Sequence, residues 1–208
     1  TNSGSTWQQV THWYGGYGFQ DVHADQHIAL FEPGNSNVIY FGNDGGIWRS
    51  ANATAAIPAV DSKHDNYNVT QFYACAIHPA AYSNYFLAGA QDNGSHQFTQ
   101  GGIGNTTQVT GGDGCFVHID QNEPQYQFTS YVYSNYYRSS DGGATFSTLT
   151  SNNNGSFVNP SDYDNSSNNF YASYSGGTYS RILSASTLNT LSSVAIAAFG
   201  GGTVTTVS

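Results

Sequence analysis

Positive charge is scarce in this sequence: four residues are Lys or Arg (Arg49, Lys63, Arg138, Arg181) against thirteen Asp or Glu, a formal net charge of −9 over 208 residues. A field of that sign repels phosphate backbones and acidic headgroups, so nucleic acid and membrane surfaces are not expected as partners. Long apolar runs are missing too, and nothing reaches the length a bilayer-spanning helix needs. No segment sustains an apolar period of 3.6 residues, which argues against helix beyond a turn or two. Cysteine is limited to Cys75 and Cys115, at the starts of neighbouring repeats. They could pair in an oxidising compartment or remain two buried thiols. A signal-peptide pattern is also lacking, so an export signal would have to lie outside these residues.

What covers the surface instead is Asn, Ser, Thr, Gly, Gln and Tyr. This neutral hydrogen-bonding palette suits sugar hydroxyls and equally keeps a secreted protein in solution. Six N-x-S/T sequons (Asn52, Asn68, Asn93, Asn105, Asn154, Asn165) are no more than so Asn-, Ser- and Thr-rich a chain yields by chance, and they carry no inference of glycosylation.

The chain repeats. The runs Ile28 to Pro33, Cys75 to Pro79, Val117 to Gln121 and Ser161 to Asn165 superpose at spacings near 44 residues, the period of four-stranded propeller blades. Each run alternates and ends in a turn. An apolar or aromatic pair follows (Ile39-Tyr40, Tyr85-Phe86, Tyr126-Gln127, Phe170-Tyr171), then a cluster of Gly, Asn, Asp or Ser with hairpin-turn chemistry, then a third strand. The expected fold is an all-β propeller of four-stranded antiparallel blades, an incomplete section of a larger one. Its first strands fall near 27–32, 73–78, 115–120 and 157–163. The expected partition is the end of a preceding blade at 1–22, blades at 23–68, 69–112, 113–156 and 157–192, and the start of a following blade at 193–208. Within the two terminal pieces, Thr1 to Trp7 reads as a hairpin turn and Thr203 to Ser208 as an opening strand.

Ser139-Ser-Asp-Gly-Gly-Ala-Thr-Phe146 fits the pattern S-x-D-x-G-x-T-aromatic. Ser139, Asp141, Gly143, Thr145 and Phe146 are read as structural: the Asp closes a hairpin, the Gly makes its bend and the aromatic plugs the space between sheets. On these residues the chain resembles the Asp-box or BNR-repeat propellers, a superfamily that includes sialidases, sortilin-like receptors and xyloglucan-cleaving endoglucanases. His23 to His27 and Gly42 to Ser50 are similar to stretches in large secreted bacterial proteins with such repeats. The resemblance implies an extracellular or cell-surface location and two classes of function. One is polysaccharide-directed and glycoside hydrolase-like; the other is a non-catalytic propeller that binds glycan or extracellular protein, alongside the remaining blades of a longer chain.

Eight residues before each first-strand turn stand Asp25, Gln71 and Asp113, expected to ring one mouth of a central channel. The turns between second and third strands add Asn43, Asp44, Gln91, Asp92 and Asn93 on the same face. Paired carboxylates are what an inverting glycosidase needs as general acid and general base, and Asp25 and Asp113 are the candidates. The competing reading is that Asp and Asn simply cap turns. His23, Asp25 and His27 alternate at i, i+2 and i+4, so on an extended strand they would share a face and could hold a divalent metal; otherwise no cofactor is implied. His23 and His27 also count as ligand-binding candidates. A sialidase needs clustered arginines for the substrate carboxylate. Here Arg49 and Arg138 occupy equivalent third-strand positions, as repeat-structural residues would.

Overall fold

The computed structural model describes residues 3–67, 70–102, 104–183, 185–187 and 190–195. A short parallel pair, β1 (Thr11–His12) with β2 (Gln20–Asp21), flanks a 3-10 segment at Trp13–Gly18. Tyr14, Gly15 and Tyr17 are left-handed there, so the segment is a chain of turns rather than a regular helix. Among the described residues no helix is long and apolar enough to cross a membrane.

Four propeller blades follow. The first sheet is β3 (Gln26–Glu32), β4 (Asn35–Asn43), β5 (Gly46–Ser50) and β6 (Asp61–Ser62). The second is β7 (Ala74–Ile77), β8 (Phe86–Ala90), β9 (Gly94–Phe98) and β10 (Thr107–Thr110). The third is β11 (His118–Ile119), β12 (Gln127–Ser130), β13 (Tyr136–Ser139) and β14 (Ser147–Thr150). The fourth is β15 (Ser161–Asp164), β16 (Asn169–Tyr174), β17 (Thr178–Leu183) and β18 (Thr190–Ala195). Each is an antiparallel meander of consecutive strands.

The four expected first strands are therefore present as β3, β7, β11 and β15. Two details differ from the sequence reading. The boundary placed between 192 and 193 falls inside β18, because the fourth strand of that sheet pairs from Thr190 to Ala195. The stretch ahead of residue 22 holds the parallel pair, whose strands run too short and in the wrong sense for a blade meander. Thr1, Asn2, the sequon at Asn68 and the strand expected at 203–208 lie outside the described residues.

The chain divides into two compact units, Thr1–Val69 and Thr70–Ser208. In the second, the sheets stack face to face through period-2 alternation. Leu87, Val117 and Ile119 are buried between the second and third sheets, with Tyr85, Val109 and Phe146 packed on them. Phe128, Tyr136, Leu149, Tyr163, Phe170, Ala172 and Ile182 fill the seam between the third and fourth. Ring centroids of Phe128 and Tyr163 lie 4.7 Å apart and those of Tyr136 and Phe170 4.6 Å, in tilted packing. Each fully buried Leu, Ile or Phe side chain among them contributes about 1.5–3 kcal/mol of burial. Where the second sheet meets the segment leading into the third the backbones crowd: a Cβ on Gly89 would collide with the carbonyl of Cys115, so this close approach requires glycine.

Candidate functional site

In the first unit, β4 and β5 are joined by a two-residue loop, Asp44-Gly45, of the type that suits tight hairpins. Asn43 fixes it: its side-chain oxygen accepts the Gly45 N–H at 3.1 Å and the Trp48 indole N–H at 3.3 Å, while its amide donates to the His23 carbonyl at 3.3 Å. His27 Nε2 engages the Asp44 carboxylate. That hydrogen bond and the charge of Asp44 raise the imidazole pKa, and Asp25 adds to it.

The shared strand face expected for His23, Asp25 and His27 is not formed. β3 begins at Gln26, and Asp25 sits at φ 57° in the left-handed region, which breaks the extended run on which the alternation depends. His23 lies before this break and its Nδ1 is 3.2 Å from the Ala24 carbonyl oxygen, while His27 lies after it, on Asp44.

The second unit gathers more of the candidates. The β8–β9 turn carries Gln91, Asp92 and Asn93, with Asp92 left-handed at φ 62°. Asp113, arriving from the lead-in to the third sheet, accepts the Asp92 N–H through Oδ1 at 3.1 Å. The backbones are stitched on either side, Gly94 N–H to the Gly112 carbonyl at 2.7 Å and Gly114 N–H to the Ala90 carbonyl at 2.9 Å. Tyr73 donates its hydroxyl to Gln91 Oε1 at 2.6 Å, and its ring is half exposed. Asn93 closes the turn by donating to the Gln91 carbonyl at 3.1 Å. Its own carbonyl lies 2.6 Å from His96 Nε2. Gln71 is exposed two residues before Tyr73.

Gln91, Asp92, Asn93 and Asp113 thus form one cluster with Tyr73, which sequence reasoning missed. Its only signal was an aromatic residue two positions after Gln71, indistinguishable there from the other tyrosines. Asp25 belongs to the first unit and Asp113 to the second. Their local conformations differ although they were counted as equivalents: Gly112 takes the left-handed turn before Asp113, whereas Asp25 takes it itself.

The hairpin from Ser139 to Phe146 is closed by side chains. Ser139 Oγ accepts the Gly143 N–H at 2.8 Å and donates to Asp141 Oδ1 at 2.7 Å. Asp141 also accepts the Thr145 N–H at 2.9 Å and the Thr145 hydroxyl at 2.6 Å. These bonds pull its carboxyl down to about 2. Phe146 packs against the seam between the second and third sheets. Cys75 and Cys115 are both free thiols; Cys75 is exposed, and burial together with nearby Asp113 pushes Cys115 up to about 12.

No family model matches the chain. No curated protein matches it either. Among solved structures it is similar to the GH74 enzyme of Niastella koreensis (21% identity, TM-score 0.46), covering 86% of this chain and 30% of that one. It is also similar to an ancestral GH74 enzyme (15% identity, TM-score 0.45, 79% of this chain and 23% of that one). A third likeness is to YCF48 from Cyanidioschyzon merolae (11% identity, TM-score 0.45, 83% and 56%). The chain spans less than a third of either GH74 chain and just over half of YCF48. Likenesses this distant transfer no residue roles, and the roles considered below come from the side chains themselves.

Proposed function

We propose that this chain is a segment of a secreted or cell-surface Asp-box propeller directed at polysaccharide, working with further blades of a longer chain. The observation that carries the reading is the cluster of Tyr73, Gln91, Asp92 and Asp113: a half-exposed aromatic ring beside an amide and two carboxylates. A pyranose presents an apolar face that stacks on such a ring and a rim of hydroxyls that such polar groups bind. Arginine chemistry for a sialic acid carboxylate is not proposed, since Arg138 donates to the Ala185 carbonyl and Arg49 lies over the Tyr40 ring.

Two versions of this function are distinguished by Asp113. As a general acid or base, with Asp25 as its counterpart, it would make the chain part of a glycoside hydrolase. Its bond to the Asp92 N–H favours the second version, in which Asp113 holds the turn in shape for non-catalytic binding of glycan or extracellular protein.

The test is retention and hydrolysis of a panel of soluble plant glucans, including xyloglucan. Tyr73→Ala should weaken retention about tenfold. In the hydrolytic version, Asp113→Asn and Asp25→Asn each lower the rate by about two orders of magnitude or more with binding kept. Retention with no cleavage selects the binding version, and a chain that neither retains nor cuts any glycan refutes the proposal.

A further inference from the structure

The internal bonds of the Tyr73 cluster leave a small set of polar atoms over for a ligand. Gln91 accepts the Tyr73 hydroxyl through Oε1, so its amide nitrogen, a donor only, is the part of that side chain left to meet one. Asp113 gives Oδ1 to the Asp92 N–H and has no other side-chain partner among the described residues, which leaves Oδ2. Asp92 brings a second carboxylate to the same turn, where that bond holds its left-handed backbone at φ 62°. The Tyr73 ring is anchored at its hydroxyl end while half of its surface stays open.

The cations of the second unit are engaged elsewhere. Over residues 70–208 seven Asp or Glu stand against two Arg and no Lys. Arg138 donates to the Ala185 carbonyl in the seam between the third and fourth sheets, and Arg181 lies on β17, two sheets on from the β8–β9 turn. His96, beneath that turn, has Nε2 on the Asn93 carbonyl and Nδ1 2.8 Å from Thr106 Oγ1. The field at the cluster is therefore negative.

A neutral pyranose uses the ring and the amide but leaves the charge of Asp113 unmatched, and a uronic acid is repelled. A bare divalent ion gains nothing from an aromatic ring or an amide N–H, neither of which offers it a lone pair. A protonated amino group on a sugar suits the whole set, because a carboxylate and the face of an aromatic ring both attract it.

We propose that the cluster selects amino sugars with a free 2-amino group, as in polysaccharide rich in unacetylated glucosamine. Asp113 Oδ2 takes the ammonium in the field of Asp92, the Tyr73 ring stacks on the sugar face, and the Gln91 amide donates to a hydroxyl oxygen. This rests on the reading of the cluster as a glycan site and adds the charge of the ligand to it.

Isothermal titration of the full chain with β-1,4-linked hexamers of glucose, glucosamine and N-acetylglucosamine tests this at about pH 6, below the range of an amino group. The glucosamine hexamer should bind about tenfold more tightly than the other two, and added salt should narrow the gap. Asp113→Asn should close it with binding of the glucose hexamer kept, since the amide oxygen still accepts the Asp92 N–H. Circular dichroism checks that the variant folds. Should it not, nitration of Tyr73 in the unaltered chain, read by mass spectrometry, gives a second readout: the glucosamine hexamer shields the ring at lower concentration than the glucose hexamer does. Equal affinity for glucose and glucosamine hexamers, or equal shielding by them, overturns the amino-sugar assignment and leaves the glycan reading in place. Binding of no hexamer overturns both. A preference that survives Asp113→Asn would belong to the net charge of the chain and overturns the assignment. Hexalysine bound as tightly as the glucosamine hexamer would give the site to a basic peptide and likewise overturns it.

Discussion

Tyr163 donates its hydroxyl to Asp120 Oδ2 at 2.7 Å, tying the fourth sheet to a fully buried carboxylate of the third. The other oxygen accepts the N–H groups of Asn122 and Glu123 at 2.8 and 2.9 Å, so the carboxylate caps its own turn while reaching across the seam. Tyr163→Phe leaves one buried oxygen without its donor and should cost about 1–3 kcal/mol. Adding Asp120→Asn should recover part of the loss, because the group left short of a partner is then neutral. Urea denaturation of the single and double variants measures both; a neutral Tyr163→Phe would show that the bond adds nothing to the seam.

His118 lies in the same seam, with Nε2 3.0 Å from Ser161 Oγ and its ring edge-on to Phe170. Loss of hydration pulls its pKa from 6.5 to about 4, with Asp162 opposing. The unfolded chain takes up this proton first as pH falls, so the His118 contribution to stability should decline between about pH 6.5 and 4 and then level off. The loss is at most about 3 kcal/mol. In denaturant titrations across that window, His118→Gln should flatten the decline. An unchanged slope would assign the acid sensitivity elsewhere.

Asp141 behaves in the opposite sense. Its carboxyl is depressed from 3.8 to about 2 by Thr145 and Ser139, so its contribution is present above about pH 4 and is lost as pH falls through 2. Asp141→Ala should lower Tm at neutral pH and remove that part of the acid dependence. Equal Tm values for the two proteins at neutral pH would mean the hairpin holds without its carboxylate.

The strand pattern was readable because alternation and turn residues are local signals: Ile28 to Pro33 and the Gly/Asn/Asp clusters report on their own neighbourhood. The hairpin at Ser139 to Phe146 was readable for the same reason. Asp25 was not, since a left-handed Asp is invisible in an i, i+2, i+4 count that assumes extended backbone. Tyr73 and Asp120 were missed because their roles depend on partners distant in sequence, Gln91 and Tyr163. Asp120 and Asp164 do recur at the repeat spacing, which marks a shared turn cap but says nothing of which one receives a hydroxyl from the next sheet.

The two thiols make a direct probe of the second unit. Cys75 is exposed, and Cys115 is buried with its pKa pushed up to about 12, so at neutral pH only Cys75 should react with a thiol reagent in the native chain. Cys115 should become labelled only on unfolding, at a rate set by opening of the seam. Rapid labelling of both would contradict the burial of Cys115.

Each four-stranded sheet is a meander of neighbouring strands in chain order, so the ladder pairings of each close within one repeat length. Such local topology lowers the entropy that must be lost before a contact forms and favours rapid assembly. Each sheet can form as soon as its own repeat has left the ribosome, and within the second unit the next can then assemble on its exposed face. For a chain made from one end, folding and synthesis can advance in the same direction at the same step size, one repeat at a time.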